Sequence, residues 1–418
     1  MTVSHGKLLL LLGLLLPAMA MSREWYVRPS AILRGEYSDN LLLRAGKTPK
    51  VYGYQATFLG VGGMRSEVSN IALMAQADIY RYWGQEGLDR NNWNIGLNAD
   101  YSLTERSKVG LDAGYISDTS LTSELLITGN LASLTGKQFG RQSINVAPRW
   151  SYDLSETKVL SANYGHQEVT FDTAASDSSS AASFRSYNTD SVGLIYKEQW
   201  TAATNYNLAF NALHYVLTDI DTKNYSLTFG LDHKYSDTLS FNFMAGVRRT
   251  DTDAMVPVRQ LVQGPNGLEF ITKQNSKSAS GYGPLFGAGL IKQFDRGNVS
   301  LNYMRNTSPS GIGQLLVSDN INGNASYDLT EHLKVLFSAG AAFSTSASSQ
   351  STASNFNRSY YSVGSTLSWM FNKQLSLNGG YLYQTQQYDY VASNTNASSN
   401  NIFVYFDYHL DELTTNRF

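Results

Sequence analysis

After residue 20 the chain alternates apolar and polar residues in stretch after stretch. A period of two places successive side chains on opposite faces of an extended segment. Trp93, Ile95, Leu97, Ala99, Tyr101 and Leu103 alternate with Asn94, Gly96, Asn98, Asp100 and Ser102. Tyr225, Leu227, Phe229 and Leu231 alternate with Ser226, Thr228, Gly230 and Asp232. Leu333, Val335, Phe337, Ala339, Ala341 and Phe343 form a third such face, and Tyr361, Val363, Leu367, Trp369 and Phe371 a fourth. In the last stretch Ile402, Val404, Phe406, Tyr408 and Leu410 share one face, and Asp407 and His409 lie on the other.

These stretches come in pairs. Tight polar turns fall at Gly62–Ser69, Thr104–Lys108, Ser155–Lys158, Glu198–Ala202, Ser236–Thr238, Asp295–Asn298, Thr330–His332 and Asn372–Gln374. Longer Ser/Thr/Asn/Asp-rich loops separate successive pairs, among them Asp172–Ser183, Ser344–Asn357 and Val391–Asn400. The pattern predicts about 18 antiparallel strands, within a range of roughly 16 to 20: 25–37, 51–61, 70–83, 91–103, 109–120, 141–154, 159–171, 184–197, 203–217, 224–235, 239–251, 280–294, 299–307, 314–329, 333–345, 358–371, 375–388 and 400–410. An even count brings both ends to the side of the short turns. Short turns on one side and long loops on the other are the asymmetry of a transmembrane up-and-down β-barrel, with the turns periplasmic.

A soluble β-sandwich also alternates apolar and polar residues. Against it stand one unbroken series of strands and the start of the chain. Lys7, the apolar run Leu8–Leu16 and Ala18-Met19-Ala20 predict a cleaved signal peptide over 1–20. The run stops at Pro17, well short of the roughly 20 residues of a spanning helix. The expected mature chain, 21–418, is a single barrel in the bacterial outer membrane, with lipid around it. The closing strand, rich in aromatics on one face, also resembles the signal by which outer-membrane barrels are recognised for insertion.

Composition narrows the function classes. There is no cysteine, so disulfide frameworks and thiolate metal sites drop out. The formal net charge of −2 is not the basic footprint of a nucleic-acid binder. Past the signal the histidines are His166, His214, His233, His332 and His409, with no HxH or HxxxH spacing, and no acidic loop has the calcium-binding pattern. Neither an enzyme nor a cofactor is expected.

In a barrel this wide the inward face is the functional surface, because 16 to 18 strands leave an aqueous lumen. Strand parity assigns Arg28, Arg34, Glu36, Asp100, Asp112, Asp232, Lys234, Arg248, Lys334, Asp407 and His409 to it. Arg28 and Asp407 are expected to pair where the first and last strands meet. Tyr101, Tyr115, Tyr361, Tyr381 and Tyr383 share the lipid-facing parity, which suits interfacial girdles better than a sugar track. One loop is unlike the others: Val256–Gln263 and Leu268–Lys273 flank Gly264-Pro265-Asn266-Gly267, the pattern of an extra hairpin. It is expected to extend outside. If it folded inward, Arg259, Glu269 and Lys273 would set selectivity.

Pro29–Asn40, ending in Tyr37-Ser38-Asp39-Asn40, resembles the opening of a family of porin-like outer-membrane β-barrel proteins. Members occur in exopolysaccharide biosynthesis and export gene clusters, including those linked to PEP-CTERM sorting. The Tyr-rich paired strands that follow resemble that family as well. The resemblance implies passage of a secreted exopolysaccharide, with the polymer and periplasmic export proteins as partners. Alternatives are a general small-solute porin, or a plugged structural or adhesive barrel.

Overall fold

In the computed structural model, the described residues are 23–46, 48–119, 139–172, 185–264, 267–310, 314–346, 357–390 and 393–417. The predicted signal, 1–20, lies outside them. So do most of the Asp172–Ser183 and Ser344–Asn357 loops.

Nineteen strands follow one another: β1 (Arg23–Ser38), β2 (Val51–Arg65), β3 (Ser69–Trp83), β4 (Arg90–Ser102), β5 (Ser107–Thr119), β6 (Gly140–Ser155) and β7 (Lys158–Phe171). Then come β8 (Tyr187–Thr201), β9 (Thr204–Val216), β10 (Ile220–Ser236), β11 (Leu239–Gly264), β12 (Gly267–Phe294) and β13 (Gly297–Ser310). The series ends with β14 (Gln314–Asp328), β15 (Leu333–Ser346), β16 (Asn357–Met370), β17 (Leu375–Tyr390), β18 (Ser393–His409) and the short β19 (Leu413–Arg417). Each strand pairs antiparallel with its chain neighbour, and β1 pairs with β18, so the sheet closes on itself. The barrel therefore has 18 staves, the number expected. Closure leaves no unpaired edge, which lets strands cross a membrane with their backbone groups satisfied.

β19 is the last stave continued past a bulge. Ser30 faces His409 and Val27 faces Leu413, so three steps along β1 match four on its partner. The extra residue falls beside Pro29, which has no N–H to give to the ladder. The register, with this bulge, sets the seam chemistry. The expected Arg28–Asp407 pair does not form: Asp407 lies opposite Ile32, too far along the strand, and pairs with His409 at 3.0 Å. Arg28 pairs instead with Glu412, which also takes Arg65 at 2.8 Å, while Arg65 holds Glu24 at 2.6 Å.

The strands run longer than the alternation alone suggests. Part of the expected Val391–Asn400 loop is strand, because β18 begins at Ser393 and pairs with β17 from Tyr390 onward. The expected hairpin forms as the far end of β11 and β12, paired through Gly264 and Gly267. It stands clear of neighbouring strands, since β10 stops pairing at Ala254 and β13 at Phe286. Lys273 on it is exposed; the side chains of Arg259 and Glu269 lie outside the description.

The outer face is an apolar belt. Leu33, Phe58, Leu194, Leu227, Phe337 and Val363 are all about half exposed, where a soluble protein would bury them. Trp25, Trp150, Trp200 and Trp369 ring its short-turn side, and Tyr52, Trp83 and Tyr282 its long-loop side. A closed barrel carrying an apolar band between two aromatic girdles is an outer-membrane β-barrel.

Candidate functional site: the lumen

The register fixes which side chains share the inner face. The charged candidates share one face, opposite the apolar belt: Arg28, Arg34 and Glu36 on β1, Asp100 on β4, Asp112 on β5, Asp232 and Lys234 on β10, Arg248 on β11, Lys334 on β15, and Asp407 and His409 on β18. They do not converge on one point. Arg149 bridges Asp100, at 2.7 Å, and Asp112. Arg34 pairs with Glu36 at 3.1 Å, Lys234 with Asp237 at 3.1 Å and Lys334 with Asp328 at 3.2 Å. Such local pairs cancel much of the field that one-signed charge would impose on the lumen.

Much of the remaining wall is neutral and polar. Asn145 sits beside Gly114, Asn163 and Asn211 flank Gly193, and Asn242 and Asn302 flank Gly289. Amides offer both donors and acceptors, and the glycines between them leave room for water.

At the long-loop end the wall changes character. The last inward positions of β7, β8 and β9 are apolar or aromatic: Val169, Phe171, Tyr187 and Tyr215. They form one buried cluster with Phe139, Leu217 and Leu316. Leu316 comes from β14, five staves from β9. The cluster thus joins opposite arcs of the wall and narrows the mouth. Around it Leu315, Leu316, Val317 and Ser318 are all buried, which an ordinary stave, wet or lipid-facing on one side, would not allow. Here β12 has already left β13, so the β13–β14 tip is free to bend inward.

A second inward element is the loop after β1. Leu42 packs with Val51, Tyr82 and Leu88, and Leu43 is fully buried. Leu43 adopts φ 48, a left-handed conformation uncommon for a branched residue. Its carbonyl accepts a 2.6 Å hydrogen bond from Gln386 Nε2 on β17. The Tyr37-Ser38-Asp39-Asn40 motif holds this loop to the seam. Asp39 accepts from the Asn400 backbone N–H at 2.7 Å and from Asn400 Nδ2 at 2.6 Å. Asn40 Nδ2 donates to the carbonyls of Ser398 and Arg44, and its Oδ1 accepts from the Arg44 N–H.

The named tyrosines, Tyr101, Tyr115, Tyr361, Tyr381 and Tyr383, lie on the outer face. A second set of aromatics lies on the opposite face. Tyr26, Tyr80, Tyr82, Tyr360, Phe403 and Tyr405 point inward, several under arginines: Arg90 sits 3.8 Å over Tyr80, Arg34 4.1 Å over Phe403 and Arg358 5.0 Å over Tyr360. Their mark in the sequence is aromatics at consecutive positions in opposite phases, as in Tyr405-Phe406.

No family model and no curated protein matches the chain. Among solved structures, OccAB2 of Acinetobacter baumannii is 9% identical, with a TM-score of 0.46 over 92% of this chain and 98% of that one. OccK2 (OpdF) of Pseudomonas aeruginosa, in complex with glucuronate, is 12% identical, with a TM-score of 0.45 over 93% and 98%. The ferric-catecholate import receptor Fiu of E. coli K12 is 10% identical, with a TM-score of 0.44 over 92% and 81%. These likenesses are too distant to carry function, and the fold rests on the closed ladder of the chain itself.

Proposed function

We propose that this outer-membrane barrel is a passive channel for small polar solutes, narrowed at its outer mouth. The observation that supports it most is the contrast within one wall: amides, hydroxyls and paired charges along the lumen, and one apolar cluster joining opposite arcs at the long-loop end. A hydrated, locally neutral lumen passes polar solutes without binding them strongly, and the cluster limits their size. Transport is diffusion, with no covalent chemistry and no cofactor.

A second reading, passage of a secreted exopolysaccharide, is favoured by the inward rings of Tyr80, Tyr360 and Tyr405, which are only partly covered. Such rings stack on apolar sugar faces. A polymer would have to displace the mouth cluster, which makes the small-solute reading the simpler one.

Single-channel conductance of the refolded protein in a planar bilayer separates the readings. Conductance indifferent to polysaccharide fragments supports the solute channel, and block by the fragments supports the polymer. A silent bilayer rejects both in favour of a plugged structural or adhesive barrel.

A further inference from the structure

Three lumen-wall arginines are more than nine-tenths buried: Arg141 at 8% exposure, Arg248 at 6% and Arg358 at 4%. Arg141 has Asp118 at 3.3 Å. Arg358 donates twice to Gln386 Oε1, at 3.2 and 2.9 Å. Arg248 is different. Its Nη1 donates to Thr250 Oγ1 at 2.8 Å, its Nε has no hydrogen-bond partner, and among the described residues no carboxylate pairs with it.

The groups that Arg248 touches are polar and uncharged, and the one charge that acts on it from nearby is a second cation, Arg305 on β13. Thr250, fully buried, donates to Asn224 Oδ1 at 2.9 Å, so its hydroxyl is used in both directions. Ser226 faces Arg248 from β10 and Gly283 from β12. A Cβ on Gly283 would stand 3.0 Å from Nη2 and 3.1 Å from Nε, so the guanidinium lies along the wall over bare backbone. A buried cation without a counter-charge is costly. Nothing among its described neighbours supplies the anion that would offset that cost.

We propose that Arg248 is an oxyanion-binding subsite of the lumen, taking the carboxylate or phosphate group of a solute on its guanidinium. A guanidinium is a planar fork that matches two oxygens of such a group. Ser226 lies four residues along β10 from Thr222, the partner of Tyr215, which places the subsite just inside the mouth cluster. An anion entering from outside meets it immediately after the narrowing. The inference deepens the channel reading by naming a solute class, but binding itself can be tested without conductance.

The test is isothermal titration of the full refolded chain in detergent micelles with inorganic phosphate and, separately, succinate. The wild-type barrel should bind at least one of them, and the pair of titrations tells phosphate from carboxylate preference. Arg248→Gln should weaken binding about tenfold or more, as loss of a charge-assisted contact does, with Arg248→Lys between the two. Gly283→Val, which pushes the guanidinium off the wall, should weaken it too and serves if Arg248→Gln does not refold. A wild-type barrel that binds neither probe, or an Arg248→Gln barrel that binds as wild type, overturns the subsite. Binding with a silent bilayer would reject the channel and keep the subsite, while conductance without binding would do the reverse.

Discussion

At the scale of single residues, most of what the barrel needs at its seam is done by short polar side chains. Asn40 is buried and makes three hydrogen bonds to backbone groups, to Ser398 on β18 and to Arg44 in its own loop. Asn40→Ala would strand those groups, and we expect it to cost about 2 kcal/mol. Urea unfolding in lipid vesicles, followed by tryptophan fluorescence, checks this. At the other end of the seam, Glu412 ties Arg28 to Arg65, but both arginines are well exposed. Glu412→Gln should therefore cost no more than about 1 kcal/mol, and less at high salt. Asp407→Asn should leave the Arg28 contact untouched, a difference the same unfolding assay reads. The Tyr37-Ser38-Asp39-Asn40 motif thus has a structural role: it pins the first loop across the place where the barrel closes.

At the scale of elements, a strand tip that the sequence does not single out supplies the far side of the buried cluster at the long-loop end. The 256–273 segment pairs with itself and stands clear of its neighbours. The β13–β14 tip instead contributes Leu316 to the buried cluster on β7–β9. Leu316→Ala should remove about 2–5 kcal/mol of local packing. It should raise single-channel conductance, since a loosened tip no longer holds the mouth narrow. Unchanged conductance would place the narrowing elsewhere. Three consecutive apolar residues, Leu315-Leu316-Val317, break the period of two and are the local trace of this tip in the sequence. Nothing local says which distant arc they will meet.

At the scale of the whole molecule, two solvents act on one wall. Val363 is 58% exposed on the outer face, and its neighbour Ser362 faces the lumen. Val363→Arg should destabilise the barrel by about 2–4 kcal/mol, the cost of a cation near the lipid midplane. Ser362→Arg, one residue away, should fold nearly as well as wild type and shift ion selectivity toward anions. Vesicle unfolding and reversal potentials in a salt gradient measure the two effects. Equal destabilisation by both would contradict the assigned faces.

By itself the sequence determined the strand number, the short-turn and long-loop sides, and which residues of each strand share a face, because side-chain alternation is a local consequence of extended backbone. Arg34, Asp112 and Lys334 could be set on the face opposite their apolar neighbours from the local sequence alone. Only the tertiary structure decided the partners. The register set Asp407 opposite Ile32, and the bulge beside Pro29 then brought Glu412 rather than Asp411 to Arg28. The inward bend at Leu316 and the solitary position of Arg248 likewise depend on strands far apart in the chain. Such contacts follow from how the sheet closes, and closure is a property of all 18 staves together rather than of any one segment.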